Sequence, residues 1–494
     1  MEYVSTRSKI SASDTAAVLQ GIAPDGGLYI DPDLKNRPFD WQGCLELKPL
    51  EMAEKILSHL LPGFENMGGL VEKAYKGKFA DHELTPVVEL GQDYVLELFH
   101  GPTCAFKDVA LSMLPQLITA GRKQEDIKDK IVILTATSGD TGKAALEGFH
   151  DVEGTGIIVF YPDEGVSPVQ KAQMVTQEGR NVCVCAVKGN FDDCQQGVKE
   201  AFAKINSGSY LDGKALRLSS ANSINIGRLA PQVVYYFIAY AALLKKGRIG
   251  LGDKVDFSVP TGNFGDILAG VFAKLMGLPV GRLICASNAN NVLTDFINTG
   301  VYDRRREFHK TTSPSMDILV SSNLERLLYI VSGGDAALVS RLMNDLKEQG
   351  CYKLEGEPIE MIQKCFAAYC CDEENTEKTI AQVWDMHHYL CDPHTAVGIY
   401  AAEQYKKQGG SDPMVILSTA SPYKFPAAVL KAIGGELEGD EFKQSETLEK
   451  LSGVPMPKSL SGLREREVLH RDVIDRSEIL DYVLKKLYEA VDAQ

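Results

Sequence analysis

Apolar and polar positions along the chain keep two rhythms. A short run of β-branched and aliphatic residues comes first, then a loop of Gly, Ser, Thr and Pro, then a helical pattern. "IVILTAT" (131–137) leads through "SGDTG" into "KAALEGFH". "KVDFSVP" (254–260) leads through "TGNFGD" into "ILAGVFAKLMG", and "PMVILSTA" (413–420) through "SPYKF" into "PAAVLKAIGG". "TGIIVFYP" (155–162) and "GRLICASN" (281–288) read as further buried strands. Strands that alternate with helices build parallel sheets covered by helices, so the predicted fold class is α/β. The longest apolar run, "VVYYFIAYAALL" (233–244), is too short to span a bilayer and runs into Lys245 and Lys246, which predicts a buried helix.

The same pattern divides the 494 residues, enough chain for two or three domains at roughly 100–200 residues each. Residues 1–95 read as a helical opening segment containing the turn-rich "QGIAPDGGLYI" (20–30). Residues 96–220 and 221–440 read as two α/β domains, the second carrying a charged helical insertion near 290–395, and 441–494 as a polar helical tail. No fixed-period repeat and no low-complexity tract interrupts this order. In open α/β sheets, ligands bind beyond the carboxyl ends of the strands. The three loops named above lie there, so distant stretches are expected to meet in one cleft.

Charge and cysteine content narrow the setting. Lys plus Arg number 52 and Asp plus Glu 67, a net charge of −15, which argues against nucleic acid or an anionic membrane as a partner. A small anionic substrate stays open, because a pocket can be locally positive. Eleven cysteines, an odd number with no C-x-x-C pair, argue against a disulfide framework and for a reducing cytoplasm. The opening "MEYVSTRSKISASD" lacks the apolar centre of a secretory signal. His387, His388 and His394 in "HHYLCDPHTAVG" lack the H-E-x-x-H spacing, so no metal is expected and packing near the cleft is. The expected partner is a small molecule, with the chain a monomer or a homodimer.

Chemistry concentrates in the loops. "TGNFGD" (261–266) joins a strand, two glycines and a helix start, which offers backbone N–H groups and a positive dipole end to a small phosphate, or else is a structural turn. It has neither G-x-G-x-x-G nor G-K-[ST]. "SGDTGKAA" (138–145) can hold a carboxylate on Ser138, Thr141 and backbone N–H groups, or can simply cap a helix. It is no P-loop: Gly139 stands three residues before Gly142, and Ala144 replaces the magnesium-binding hydroxyl. Lys107, in "ELFHGPTCAFKDVALSML" (97–114), is either a solvated lysine before a helix or a Schiff-base lysine. Pyridoxal phosphate needs an anchor lysine, a phosphate cradle and a ring-nitrogen partner, and Lys107, the 261–266 loop and Thr419 can supply all three. A hydroxyl partner makes a milder electron sink than an Asp would. Phe106 packs on the ring or in the core.

"HGPTCAFKD", "TATSGDTGKAA", "PTGNFGD" and "LSTASPYKFP", in this order, resemble the threonine synthases, fold-type-II pyridoxal phosphate enzymes related to the tryptophan synthase β subunit. "APDGGLY" (23–29), "SSANSINIGRLAPQ" (219–232) and "DPHTAVG" (392–398) look like further markers, and the match runs from about residue 3 to residue 430. The longer N-terminal segment and the 290–395 region resemble the branch found in enterobacteria and fungi. The resemblance implies that Lys107 holds pyridoxal phosphate, that Gly262, Asn263, Phe264 and Gly265 bind its phosphate with Asp266 closing the loop, and that Thr419 meets the ring nitrogen. Asp140 stands where related enzymes often carry an Asn that touches the ring's phenolic oxygen. The implied substrate is O-phospho-L-homoserine, with Ser138, Gly139 and Thr141 at its carboxylate and Ser223, Asn225 and Arg228 at its phosphate. Asn225 and Arg228 are three apart at an expected helix start and so share a face, and Arg suits phosphate by its fork of donors. The competing reading has Asn222 and Ser223 capping that helix and Arg228 paired with an acid. "TTSPSMD" (311–317) and Lys143 are secondary candidates. Rival functions are a phospho-lyase of the threonine-synthase-like type, a serine/threonine dehydratase, and a non-catalytic ligand-binding homologue.

Overall fold

Uninterrupted apolar runs become the central strands of two sheets. The computed structural model describes residues 1–492 apart from Ser138 and Gly165. The larger sheet has six strands in the order Phe366–Cys370, Val280–Ser287, Val255–Pro260, Met414–Ser418, Asp93–Glu97 and Val87–Leu90. All neighbours are parallel except the last pair, an antiparallel hairpin. The smaller sheet has five parallel strands in the order Asp472–Ile474, Val182–Val187, Thr155–Pro162, Lys130–Ala136 and Leu216–Ser219. Every residue of Val255–Pro260 and of Thr155–Pro162 is buried, as expected for strands covered on both faces. The run at 233–244 lies within a helix, Val233–Lys245, whose residues from Val233 to Tyr240 are all buried.

Several divisions fall elsewhere than the sequence pattern places them. Strands Val87–Leu90 and Asp93–Glu97 belong to the larger sheet, with Val95 paired to Ile416. The 290–395 stretch is more than a helical insertion, because it supplies the edge strand Phe366–Cys370. The opening segment carries a small antiparallel sheet, ordered Ser11–Ser13, Glu2–Ser5, Tyr29–Ile30, beside its helices. The tail adds strand Asp472–Ile474 to the smaller sheet. These edge strands are short and partly exposed, so they have no continuous apolar run to betray them.

Two contacts tie the periphery to the cleft. Arg326, fully buried, donates from Nε to Tyr29 O at 2.9 Å and from Nη2 to Ile224 O at 2.6 Å. Its neighbour Glu325 accepts from Arg7 Nη2 at 2.7 Å, so the N-terminal segment is clasped to the chain around 323–326. The second contact joins two helices. Pro115 lies inside helix Lys107–Gln124 and has no N–H to offer Leu111 O. Gly148 of helix Asp140–Phe149 comes so close that an added Cβ would lie 1.9 Å from that oxygen. Gly148→Ala must push the two helices apart and is expected to cost about 1–3 kcal/mol, read as a lower denaturant midpoint; an unchanged midpoint would mean that the helices separate freely.

Candidate active site

Lys107 is aimed by a turn stitched to a distant strand end. Asp108 Oδ2 accepts the Thr103 N–H at 2.9 Å and Oδ1 accepts the Thr103 hydroxyl at 2.5 Å. Gly101 lies so close that an added Cβ would meet Asp108 Cβ at 2.4 Å, which excludes a side chain there. Burial pushes the Asp108 carboxyl up to about 6, against the pull of the Thr103 hydrogen bonds. The far side of the turn bonds to the end of strand Met414–Ser418. Leu98 N donates to Ser418 O at 2.9 Å, Phe106 N to Thr419 O at 2.8 Å, and Ser421 N to Cys104 O at 3.0 Å. Lys107 and Thr419 are therefore brought together by backbone hydrogen bonds, both buried. Phe106 lies under the lysine, its ring centre 4.7 Å from Nζ.

The electrostatic centre is Asp140. Its carboxylate lies 2.6 Å from Lys424 Nζ and 3.6 Å from Lys107 Nζ, and Gln170 Nε2 donates to it at 2.8 Å. Burial alone would raise its pKa, but the two ammonium groups overcome this and hold the carboxyl well below the usual range. Burial lowers the pKa of Lys107, assisted by the charges of Lys424 and Arg228 and opposed by Asp140. A lysine so placed keeps more neutral amine, the form that attacks an aldehyde. Lys424, wholly buried, also donates to Thr103 O at 3.0 Å and was not among the residues singled out in the sequence. Its only signal was its place in "SPYKF", one of the three loops at strand ends.

At the Asp140 helix, Gly139 adopts φ 150, and an added Cβ would lie 2.6 Å from the Gln170 side chain. Capping falls to Thr137, whose hydroxyl accepts Gly139 N at 3.0 Å and Gly142 N at 2.8 Å. Thr141 is left half-buried at the helix start. Ser138 lies outside the described residues. Lys143 turns away to Glu147, 3.1 Å distant.

In the 261–266 loop, Phe264 takes the left-handed φ of 62, unusual for a bulky residue, and its ring packs on Phe366 in the core. Its part in the loop is therefore backbone geometry. Helix Gly265–Leu275 starts without a side-chain cap, which leaves N–H groups available to an anion. Asp266 is turned behind the loop. Its Oδ1 accepts from Tyr235 at 2.5 Å and from Tyr236 at 3.3 Å, so it anchors the helix start to the core. The segment 321–323 holds the loop from outside: Ser321 Oγ donates to Gly262 O at 2.8 Å, Ser322 Oγ to Asn263 Oδ1 at 3.2 Å, and Asn323 N to Asn263 O at 3.1 Å.

The residues expected at a substrate phosphate divide. Asn225, not Asn222 or Ser223, is the N-cap of helix Ile226–Leu229, and its amide donates to Val18 O at 2.9 Å, so both ends are engaged in structure. Ser223 Oγ lies 3.4 Å from Ser322 Oγ beside the loop. Arg228 is buried, donates from Nη1 to Ala221 O at 2.9 Å, and has no partner on Nε among the described residues. Burial lowers its pKa to about 10, so it stays charged at neutral pH. His394 does more than pack: its Nε2 accepts the N–H of Ser315, whose hydroxyl is 3.3 Å from Lys107 Nζ.

These features fit pyridoxal phosphate. A buried amine of lowered pKa, an uncapped helix start and a buried threonine at the neighbouring strand end match its aldehyde, phosphate and ring nitrogen. Among the described residues no three His, Cys, Asp or Glu side chains group as metal ligands.

Comparison with known proteins agrees with this chemistry. The family profile "Pyridoxal-phosphate dependent enzyme" matches residues 83–420, and "Threonine synthase, C-terminal" matches 395–480. The chain is 41% identical to threonine synthase of Pseudomonas aeruginosa, over 87% of this chain and 90% of that one. It is 39% identical to human threonine synthase-like 1 over 87% of its own length but spans only 60% of that protein. A crystal structure of pyridoxal-phosphate-bound threonine synthase from Brucella melitensis superposes with a TM-score of 0.87 at 38% identity, over 99% of both chains.

Burial raises Asp266 from 3.8 to about 7, the two tyrosine hydrogen bonds only partly opposing it. The folded protein then keeps a proton that the unfolded chain has released, so this group's stabilisation is full below pH 4 and is lost as pH rises towards 7. Against Asp266→Asn, wild-type stability in urea is expected to fall over that window and level off above it; parallel curves would place the carboxyl at an ordinary pKa.

Proposed function

The chain belongs to the threonine synthases, within the pyridoxal-phosphate-dependent enzymes of fold type II, and on that premise we propose that it converts O-phospho-L-homoserine and water into L-threonine and phosphate. The observation that carries the reading is Arg228, a buried guanidinium whose Nε has no partner among the described residues and whose charge acts on Lys107. A guanidinium whose charge is felt at the anchor lysine suits a substrate that brings its own phosphate.

In this reading Lys107 anchors the cofactor, the N–H groups of Gly262–Gly265 hold its phosphate, and Thr419 meets its ring nitrogen. Bound pyridoxal phosphate supplies an electron sink for negative charge left at the substrate's α carbon. Lys107 takes the α proton and then a β proton, and phosphate departs from the γ carbon. Protons return to the γ and α carbons, the hydroxyl of water adds at the β carbon, and the remaining proton of water leaves with the phosphate. Gly139 and Thr141 bind the substrate carboxylate at the start of the Asp140 helix, where the helix dipole favours an anion. Arg228 and Ser223 bind the substrate phosphate and steady its charge as it leaves, while Asn225 holds the short helix that presents Arg228. Asp140, pinned by Lys424, keeps Lys107 oriented.

A second reading is a phospho-lyase of the threonine-synthase-like type, kept in view because the chain is also 39% identical to human threonine synthase-like 1. We place the reaction in a reducing cytoplasm, a choice supported by eleven free cysteines. No helix among the described residues is long and apolar enough to cross a membrane.

Products decide between the two readings. With O-phospho-L-homoserine, threonine and phosphate are expected in equal amounts, whereas phosphate with a keto acid would select the lyase. Arg228→Ala is expected to raise KM for the phosphorylated substrate by about tenfold or more, the size of a lost charge-assisted hydrogen bond. An unchanged KM would return Arg228 to a structural role.

A further inference from the structure

Among the described residues, Lys107 has two side-chain oxygens in reach, and they differ in kind. Asp140 Oδ2, at 3.6 Å, can only accept, so it favours the charged ammonium. Ser315 Oγ, at 3.3 Å, can accept or donate, so it can hold the amine in either protonation state. A lysine that alternates between those states needs such a partner held in place.

The turn Pro314–Met316 carries Ser315 and is fixed at two points. Its base is held by Asn288, whose Nδ2 donates to Thr311 Oγ1 at 2.8 Å and to Ser313 Oγ at 3.0 Å. Its tip is held from another element. His394, in the first turn of helix Pro393–Lys407, accepts the Ser315 N–H at Nε2, 3.1 Å away. A ring nitrogen that accepts must be bare, so the proton of neutral His394 belongs on Nδ1, where Asp392 Oδ2 receives it at 2.5 Å. Asp392 Oδ1 in turn accepts from Thr395 N at 3.1 Å, and the Thr395 hydroxyl is 2.9 Å from Ser418 Oγ, next to Thr419. Phe425 meets the His394 ring at 4.9 Å between centroids. Asp392 and His394 are both buried. The Ser315 carbonyl would lie 2.6 Å from a Cβ on Gly262, so the same tip rests on the phosphate loop.

We propose that Asp392 and His394 form a positioning pair for Lys107: they fix the backbone of Ser315, and Ser315 Oγ then docks the lysine amine beside the phosphate loop. His394 touches no reacting atom in this scheme and acts only through Ser315. The proposal rests on Lys107 being the cofactor anchor.

The test is the rate at which cofactor-free protein captures pyridoxal phosphate. The amine condenses with the aldehyde and releases water, borohydride then adds hydride to the C=N bond, and peptide mass locates the adduct. Ser315→Ala and His394→Leu are each expected to slow capture at Lys107 by up to about tenfold, the scale of one lost hydrogen bond. Because both act on one oxygen, the double variant should be no slower than the slower single variant. His394→Gln, whose amide oxygen can accept the Ser315 N–H, should restore most of the rate. Thermal unfolding of the cofactor-free variants separates a capture defect from a folding defect. Should His394→Leu not fold, Ser315→Ala with His394→Gln still decides the matter. Wild-type capture by Ser315→Ala, multiplying effects in the double variant, or His394→Gln slowed beyond Ser315→Ala would each overturn the proposal. Cofactor still trapped on the Lys107→Ala protein would instead overturn the anchor reading beneath it.

Discussion

The cleft depends on one carboxylate out of water, Asp140, set between the ammonium groups of Lys424 and Lys107 at 2.6 and 3.6 Å. A lone charge in that position would be costly, and two positive charges without it would repel each other. With Asp140 between them, all three stay buried and ionisable. Each comes from a different loop: Lys107 from the start of its helix, Asp140 from the end of strand Lys130–Ala136, and Lys424 from the loop after Met414–Ser418. The ion cluster thus joins the two sheets at their carboxyl ends, where a ligand is expected to enter. Arg228 adds a further positive charge acting on Lys107, in a protein whose net charge is −15.

Around this cluster, stiffness comes from hydrogen bonds between backbone and short polar side chains. The Lys107 turn is tied to 418–421, the 261–266 loop to 321–323, and that segment through Arg326 to the N-terminal strand at Tyr29. Segments that look peripheral in the chain, 1–30 and 311–326, therefore frame the site. The cost is rigid geometry at several positions, including Gly101, Gly139 and Gly262, where close approach leaves no room for a Cβ.

The central strands were legible because their apolar runs are continuous and end in Gly- and Ser-rich loops. Lys107, the 261–266 loop and Thr419 stood out as candidates because one cofactor requires three kinds of partner, and each stands at a strand or helix end. Lys424 was not legible, since a lysine between Tyr423 and Phe425 has no local pattern that says it is buried. His394 read as packing because nothing in "DPHTAVG" reveals that its ring meets a turn from 79 positions earlier. Asp266 read as part of the loop, yet the tyrosines at 235 and 236 draw its carboxyl behind it. Edge strands such as Asp472–Ile474 escaped because partial exposure removes the apolar signal.

By itself the sequence determined the α/β alternation and the candidates for anion-binding loops, anchor, cradle and ring partner. Local chemistry suffices for these: strand runs, helix starts and glycines act over a few residues. Tertiary structure alone decided which charges meet, which Asn serves as a cap, and which histidine aims the turn over Lys107. Such contacts join positions tens to hundreds of residues apart, and their energies depend on burial and distance, quantities that exist only once the sheets have brought the loops together.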